Sequence, residues 1–133
     1  MKELFIDAKT ENLSAVLAFI AGELESSGCS MKLEAQIAVA VEEIFVNIAC
    51  YAYSPEVGGT VIRAAVGDEI VIEFEDKGKP YNPLERGDPD ITLPAEERSV
   101  GGLGIYMVKK SMDSVGYRYE EGKNILTIRK LIG

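Results

Sequence analysis

Apolar residues recur at helical spacing in two segments of the first half of the chain. The first segment has its stripe at Leu13, Val16, Leu17, Ile20 and Leu24. It predicts a helix that Gly28 can end. The second follows Ser30, a favourable N-cap, and runs to about Tyr53, ahead of Pro55. Its stripe consists of Leu33, Ile37, Val41, Ile44 and Ile48. We therefore predict two successive amphipathic helices.

Alternating or short apolar runs predict strands on both sides of these helices. Residues 2–7 form the first of them. Thr60–Val66 and Glu69–Glu75 alternate around the turn residues Gly67-Asp68, a pattern typical of a hairpin. Two last strands, at about 115–120 and 124–131, meet near Glu121-Gly122.

A third helix is predicted after Gly104, with Ile105, Val108 and Met112 on one face and Gly116 as its end. The element order is then β-α-α-β-β-loop-α-β-β. This order predicts an α+β fold, a two-layer sandwich in which a mostly antiparallel sheet carries its helices on one face. A chain of 133 residues fits a single domain, residues 1–133.

The composition of the chain excludes several kinds of catalytic site, metal site and binding partner. The chain contains no histidine, which excludes Ser-His-Asp and Cys-His catalysis and nearly every zinc site. Its two cysteines, Cys29 and Cys50, give no disulfide framework and are expected to be reduced thiols. The net charge of −8 shows no basic footprint for nucleic acid, and no uncharged apolar run has the length of a membrane span. The N-terminus lacks a signal peptide, so we expect a cytoplasmic protein.

The second helix carries the first polar anomaly. Glu43 and Asn47 are one turn apart and share the flank of the apolar stripe, whereas Glu42 points to solvent. A carboxylate and an amide at the edge of a core need partners, because their burial without partners costs several kcal/mol. The alternative is a solvated pair at the rim of the helix.

Asp76 continues the register of Ile70, Ile72 and Phe74 and is therefore aimed at the core face of its strand. Because Gly78 and Pro80 follow, the chain bends away and a cavity can open there. A carboxylate in such a cavity suits the exocyclic amino group of a purine. The alternative is an aspartate that ends the strand and caps a turn.

A glycine-rich stretch, Gly101-Gly102-Leu103-Gly104, opens the third helix. Glycines let the backbone approach a phosphate, and a helix N-terminus offers N–H donors with a partial positive charge. The stretch matches neither a Walker loop nor the GxGxxG fingerprint. On its own it is a weak signal, because glycines before a helix usually form only a turn.

The order of these features resembles the GHKL (Bergerat-type) ATP-binding fold, and within it the bacterial anti-sigma-factor serine kinases. The first matching block is Glu42-Glu43-Ile44-Phe45-Val46-Asn47, the second is Asp76-Lys77-Gly78-Lys79-Pro80-Tyr81-Asn82-Pro83, and the third is Glu97-Arg98-Ser99 with Gly102-Leu103-Gly104-Ile105-Tyr106. Met112-Asp113-Ser114-Val115 is in addition similar to the Met-Asp-x-Val of the family. Three blocks in the right order and spacing are a specific signal, and they place one ATP-binding kinase domain on the whole chain.

The resemblance implies a role for each of these positions. Asn47 coordinates Mg²⁺, and Glu43 is the general base for a serine hydroxyl or a water. Asp76 accepts a hydrogen from the adenine amino group, and Gly78 leaves room for the ring. The phosphates are bound at Gly102, Leu103 and Gly104 through backbone N–H groups.

Residues 84–100 form the ATP lid in this resemblance, and Arg98 meets the γ-phosphate. The alternative for Arg98 is a solvated charge. The chain also departs from the family pattern. Asn124 stands near the adenine where many members place a threonine, Tyr51 stands where a histidine is common, and the glycine run is one residue longer than its shortest versions.

The expected function is an ATP-dependent serine/threonine kinase and anti-sigma factor that binds a sigma factor and phosphorylates a STAS-type antagonist. A nucleotide-dependent binding module without kinase activity is the alternative, and a hydrolase such as the chaperone and topoisomerase ATPases is a third. Those hydrolases use additional domains, for which 133 residues leave no room. The resemblance is compatible with a homodimer and gives no reason to expect nucleic-acid or membrane partners.

Overall fold

The computed structural model describes residues 1–53, 56–85 and 102–132. The strands are β1 (Lys2–Asp7), β2 (Gly59–Val66), β3 (Glu69–Asp76), β4 (Ser114–Glu120) and β5 (Lys123–Leu131). The helices are α1 (Leu13–Glu25), α2 (Met31–Asn47) and α3 (Gly102–Ser111), with a π-helical turn at Ile48–Ala52 and short 3₁₀ turns at Thr10–Asn12 and Pro83–Glu85.

The five strands form one antiparallel sheet in the order β1-β2-β3-β5-β4. β3 is the central strand, and its neighbour β5 comes from the far end of the chain. In this register Asp76 lies opposite Asn124 on β5 and opposite Thr60 on β2. Residues nearly 50 positions apart in sequence are therefore brought side by side at one end of the sheet.

The helices cover one face of this sheet and enclose a single apolar core. Even-numbered residues of β2 and β3 supply its floor, because successive side chains of a strand point to opposite faces. The most deeply buried members include Val16, Ile20, Ile37, Val41, Phe45, Ile62, Ile72, Phe74 and Ile128. These contacts confirm the predicted two-layer α+β sandwich.

The start of α2 agrees with the sequence prediction. The Ser30 side chain accepts a hydrogen bond from the Leu33 N–H (3.1 Å), which satisfies one of the free donors of the first turn. By length and composition, the helical stretch Met31–Ala52 could cross a membrane. The core helix of a soluble protein meets the same criterion, and one face of α2 packs against the sheet.

The second half of the chain differs from the prediction in one place. Gly116 is predicted to end the third helix, but α3 ends at Ser111 and Gly116 lies inside β4. The helix ends before Gly116 because β4 pairs with β5 from Ser114 onward. The predicted turn at Glu121-Gly122 is confirmed, and both residues have positive φ angles (54° and 78°), as a two-residue hairpin turn of the primed type requires.

Among the described residues, the opposite face of the sheet carries ion pairs. Arg63 on β2 contacts Glu3 on β1 (2.6 Å) and Glu75 on β3 (3.0 Å). Arg118 on β4 contacts Glu120 (2.9 Å). Glu75 is buried, whereas the other two acids, Glu3 and Glu120, are more exposed, and exposed pairs of this kind contribute about 0–1 kcal/mol each. The predicted site residues Asp76 and Asn124 lie on the helix-covered face, where their burial makes the loss of a hydrogen-bond partner costly.

Candidate functional site

A cavity of about 520 Å³ lies between α2, the start of α3 and the ends of β3 and β5. This volume suits a small organic ligand. Its walls are mostly apolar, and the described residues that line them are Ile44, Asn47, Ile48, Tyr51, Ala52, Phe74, Asp76, Lys79, Pro80, Tyr81, Pro83, Ile105, Tyr117, Asn124 and Leu126. Three of the sequence-predicted site residues, Asn47, Asp76 and Asn124, are among them.

Asp76 places a carboxylate at one end of this cavity, with only 6% of the residue exposed. Its Oδ1 accepts hydrogen bonds from the Gly78 N–H (2.9 Å) and from the Asn124 amide (3.0 Å). Burial raises the pKa of the Asp76 carboxyl; the bonds from Asn124 and Gly78 lower it, and the neighbouring Glu75 charge raises it. Within the described residues, Oδ2 has no hydrogen-bond partner and is available to a donor in the cavity.

Asn124, 7% exposed, is the donor that meets Asp76 from the neighbouring strand. Its Nδ2 also lies 2.9 Å from the Lys79 carbonyl and 3.3 Å from the Gly78 carbonyl. One side chain thus ties the carboxylate to the backbone of the loop that follows β3.

The oxygen of Asn124 is bonded as well. Its Oδ1 accepts from the Tyr81 N–H (3.1 Å) and from the Tyr117 hydroxyl. The opposite orientation of the amide would place its oxygen against three other oxygens, so these partners fix which end is nitrogen. The sequence prediction located Asn124 near the adenine and did not find this network.

Gly78 is required by packing around the loop. A Cβ atom at this position would lie 2.3 Å from the Ala52 carbonyl oxygen, at the end of the π-helical turn. The neighbouring Lys79 N–H donates to that same oxygen (3.1 Å). The close approach that glycine permits here joins the loop after β3 to the end of the π-helical turn that follows α2. Its predicted role, room for the adenine ring, stays a prediction.

Glu43 and Asn47 form a pair on α2, as the sequence indicated. The Asn47 amide donates to Glu43 Oε1 (3.1 Å), and both side chains are half-buried, whereas Glu42 is exposed. Asn47 lines the cavity; Glu43 is not among the described residues that do, and it reaches the site through Asn47. Because Asn47 uses its nitrogen for Glu43, its oxygen remains available to a cation.

The glycine-rich stretch is placed at the start of α3. Gly102, Leu103 and Gly104 form the first turn of this ten-residue helix, so their N–H groups are among those without a partner inside the helix. The next residue, Ile105, lines the same cavity as Asp76. The helix N-terminus and the buried carboxylate therefore belong to one cavity, and its N–H groups and partial positive charge favour an anion there.

Part of the predicted site falls outside the described residues. Arg98, Gly101 and the predicted lid from residue 86 onward lie there. Their assignments stay predictions from the sequence.

Three tyrosines that line the cavity were not singled out as ligand contacts by the sequence. Tyr51 and Tyr81 are 59% and 53% exposed, and Tyr117 bonds Asn124. The register argument applied to Asp76 would have found Asn124 too, because Asn124 precedes Leu126 and Ile128 on the core face of β5. The tyrosines share no such pattern, since they come from a helix end, a loop and an edge strand.

A buried carboxylate and a helix N-terminus beside one mostly apolar cavity, between a helical layer and an antiparallel sheet, define an α+β domain with a cavity suited to a small ligand. A family model described as "Histidine kinase-like ATPase domain" matches residues 6–130. The chain belongs to this family, which confirms the resemblance seen in the motif order and makes a nucleotide the ligand class.

Curated relatives carry a more specific description. The chain is 29% identical over 129 residues to the serine-protein kinase RsbW of Bacillus cereus (strain ZK / E33L), covering 93% of this chain and 81% of the relative. It is 28% identical over 129 residues to the serine-protein kinase RsbW of Bacillus thuringiensis (strain Al Hakam), with the same coverage.

A solved structure supports the fold. The structure of the RsbU and RsbW domains of Rv1364c from Mycobacterium tuberculosis is similar over 99% of this chain, with a TM-score of 0.69 and 17% identity. This chain spans 33% of that one. At this identity the likeness concerns the fold alone.

Proposed function

We propose that this protein is an ATP-dependent serine/threonine protein kinase and anti-sigma factor. The observation that carries the proposal is the composition of one cavity. The buried Asp76 carboxylate suits the purine amino group, and Asn47 and the N-terminus of α3 suit the phosphates. Family membership and the name of the curated relatives support the choice of ATP and of a serine acceptor.

Mg²⁺ fits the groups on the phosphate side. Mg²⁺ takes oxygen ligands, keeps several waters and is usually bound with one or two protein groups plus substrate phosphates. No cluster of three or more carboxylate, histidine or cysteine residues that could hold a metal alone is present in residues 1–53, 56–85 and 102–132. The Asn47 amide oxygen is the protein ligand in this proposal. When bound, Mg²⁺ neutralises charge on the phosphates.

Glu43 acts on the acceptor. Its carboxylate accepts the proton of a serine hydroxyl while the oxygen of that serine bonds the γ-phosphorus, and the bond from the γ-phosphorus to the bridging oxygen of ADP breaks. The hydrogen bond from Asn47 holds Glu43 Oε1 and leaves Oε2 for this proton. In the proposed site, Asn47 therefore couples the position of the base to that of the phosphates.

The proposed partners are those that the family resemblance implies. The protein binds a sigma factor in the cytoplasm, and it phosphorylates a small STAS-type antagonist on a serine, which releases the sigma factor. The absence of histidine from the chain requires the phosphate to go to another residue type or another protein. Arg98 contacts the γ-phosphate and residues 84–100 close over the nucleotide in this proposal.

Transfer of γ-phosphate from radiolabelled ATP to a purified STAS-type antagonist from the same organism tests the proposal. We expect phosphoserine on the antagonist, dependent on Mg²⁺ and strongly reduced in Asn47→Ala. Asn12→Ala is the matched control, because Asn12 bonds the Asp7 carbonyl and is not among the residues that line the cavity. ATP-dependent binding of the antagonist with no phosphate on it would contradict the kinase and favour the nucleotide-dependent binding module.

A further inference from the structure

The amide of Asn124 has no hydrogen-bonding capacity left for a ligand. A side-chain amide has two N–H donors and an oxygen with two lone pairs. In Asn124 the nitrogen faces Asp76 Oδ1 and two backbone carbonyls, and the oxygen accepts two hydrogens. A direct bond to a base would require breaking one of these, in surroundings where only 7% of the residue is exposed.

Most of these partners belong to one structural unit, namely Asp76 and the loop that follows it. Residues Gly78, Lys79 and Tyr81 are held through three backbone groups. Asp76 is held at Oδ1 alone, so the direction of its free Oδ2 depends on what Oδ1 bonds. Without Asn124, Oδ1 would keep a single donor, the Gly78 N–H, on a loop that has itself lost three anchors.

We infer that Asn124 is a positioning residue for purine selection: it makes no hydrogen bond to the nucleotide and instead aims Asp76 Oδ2 at the purine amino group. This inference rests on the proposed binding of ATP. It differs from the role that the family resemblance suggested for position 124, a group beside the adenine. Asn124 thereby contributes to selectivity among purines and not to binding of the phosphates.

Two nucleotides separate this role from a direct contact with the purine ring; a direct bond to the 6-amino group is opposed by the Asn124 oxygen, which already accepts two hydrogens. ATP carries the 6-amino group that Asp76 would accept from, and purine riboside triphosphate has a hydrogen in its place with the ring nitrogens unchanged. Affinities of both, with Mg²⁺, are measured by calorimetry for the wild type and for Asn124→Ala. Asn82→Ala is the matched control, because Asn82 lies in the same loop and its side chain bonds the Leu84 N–H, away from Asp76.

We expect Asn124→Ala to weaken ATP about tenfold, the effect of losing a hydrogen bond to a charged group. The affinity for purine riboside triphosphate should change less than about twofold, since that analogue offers Asp76 nothing to accept. Asn124→Thr should restore part of the ATP affinity, because a hydroxyl can donate to Asp76 Oδ1. Asn82→Ala should leave both affinities at the wild-type values.

Equal loss of both nucleotides in Asn124→Ala and no recovery in Asn124→Thr would overturn the inference, because a direct ring contact or a general loss of structure weakens both. Unchanged ATP affinity would overturn it as well. Wild-type protein that binds both nucleotides equally would remove the role of Asp76 in selection and the inference with it. Wild-type protein that binds neither would instead contradict the proposed function. Thermal unfolding of each variant identifies one that has failed to fold, and Asn124→Thr then serves as the test variant.

Discussion

The two ends of the cavity are built in different ways. At the Asp76 end, the carboxylate is 6% exposed and its partners are two donors supplied by the protein itself. At the Asn47 end, Glu43 and Asn47 are half-buried and share a single hydrogen bond. At the first end the protein fixes one carboxylate oxygen with two donors and leaves Asp76 Oδ2 for a ligand, whereas the second end offers helix N–H groups together with the oxygens of two side chains that one hydrogen bond holds in place.

This difference matches what each end has to do in the proposed function. Recognition of a purine amino group needs a fixed acceptor, because a misdirected acceptor forfeits the hydrogen bond that gives selectivity. The phosphates change position and charge distribution during transfer, so side chains that keep most of their hydrogen-bonding capacity for the ligand suit that end. We therefore expect substitutions at the Asn47 end to lower the rate of phosphoryl transfer and substitutions at the Asp76 end to lower the affinity for ATP.

The largest effect is expected at the phosphate end from Glu43→Gln. Loss of a general base lowers the rate of phosphoryl transfer by about 10²–10⁴-fold. Affinity for ATP should stay near the wild-type value, because the glutamine oxygen introduced by this substitution can still accept the hydrogen of Asn47. Glu42→Gln is the control, an exposed neighbour on the same helix whose rate should not change. Wild-type rates in Glu43→Gln, measured with radiolabelled ATP, would remove Glu43 from the mechanism.

At the purine end, Asp76→Asn should weaken ATP about tenfold or more, because the acceptor becomes a donor aimed at an amino group. The effect belongs to binding, so saturating ATP should recover most of the transfer rate. Calorimetric titration and the dependence of rate on ATP concentration check both statements. An Asp76→Asn protein with full ATP affinity and no transfer would reverse the roles of the two ends.

Gly78→Ala tests the close packing of the loop after β3 against the π-helical turn that follows α2. The added Cβ would lie 2.3 Å from the Ala52 carbonyl oxygen, and relief of such a clash costs about 1–3 kcal/mol of stability. Gly22→Ala is the control; nothing lies within 4 Å of a Cβ there, and alanine in a helix is expected to stabilise by about 1 kcal/mol. Equal unfolding free energies for Gly78→Ala and the wild type, from urea denaturation, would contradict this packing.

The smallest expected effect is a pH dependence of stability. The pKa of Asp76 is raised in the folded protein, so the folded state holds this proton more tightly than the unfolded state. The contribution of Asp76 to stability therefore falls as the pH rises from its ordinary pKa of 3.8 through the folded value, and stays low above it. Asp76→Asn lacks this penalty and should be the more stable protein at neutral pH.

Unfolding free energies of Asp76→Asn and the wild type at several pH values measure this effect. The advantage of the variant should shrink as the pH falls through the folded pKa of Asp76. Asp68→Asn, at the β2–β3 turn, is the control. A wild-type protein that is more stable than Asp76→Asn at neutral pH would mean that the donors around Asp76 outweigh its burial.

Local patterns predicted most of the fold. Alternation around Gly67-Asp68 indicated the β2–β3 hairpin, and Ser30 marked the start of α2, because these signals depend on neighbours in sequence. Gly116 failed as a helix end. Gly116 pairs with Thr127 on β5, so the strand predicted at about 115–120 indicated its place correctly, whereas the glycine taken alone did not.

The candidate site divides in the same way. Asp76 and the pair Glu43–Asn47 were found from strand and helix periodicity, since an acid or an amide on a core face is conspicuous there. The hydrogen-bond network of Asn124 was not found, because it joins β5 to a loop 43–46 residues earlier in the chain. Such a network depends on strand order, which the periodicity of single elements does not contain.

In the proposed function one ligand reaches both ends of the cavity, and amide chemical shifts can show this residue by residue. Adenosine should shift the amides of Gly78, Lys79 and Tyr81 only. ATP with Mg²⁺ should shift these and, in addition, Gly102, Leu103, Gly104 and Ile105. If saturating ATP shifts the amides of only one of these two sets of residues, a single ligand that spans the cavity is contradicted.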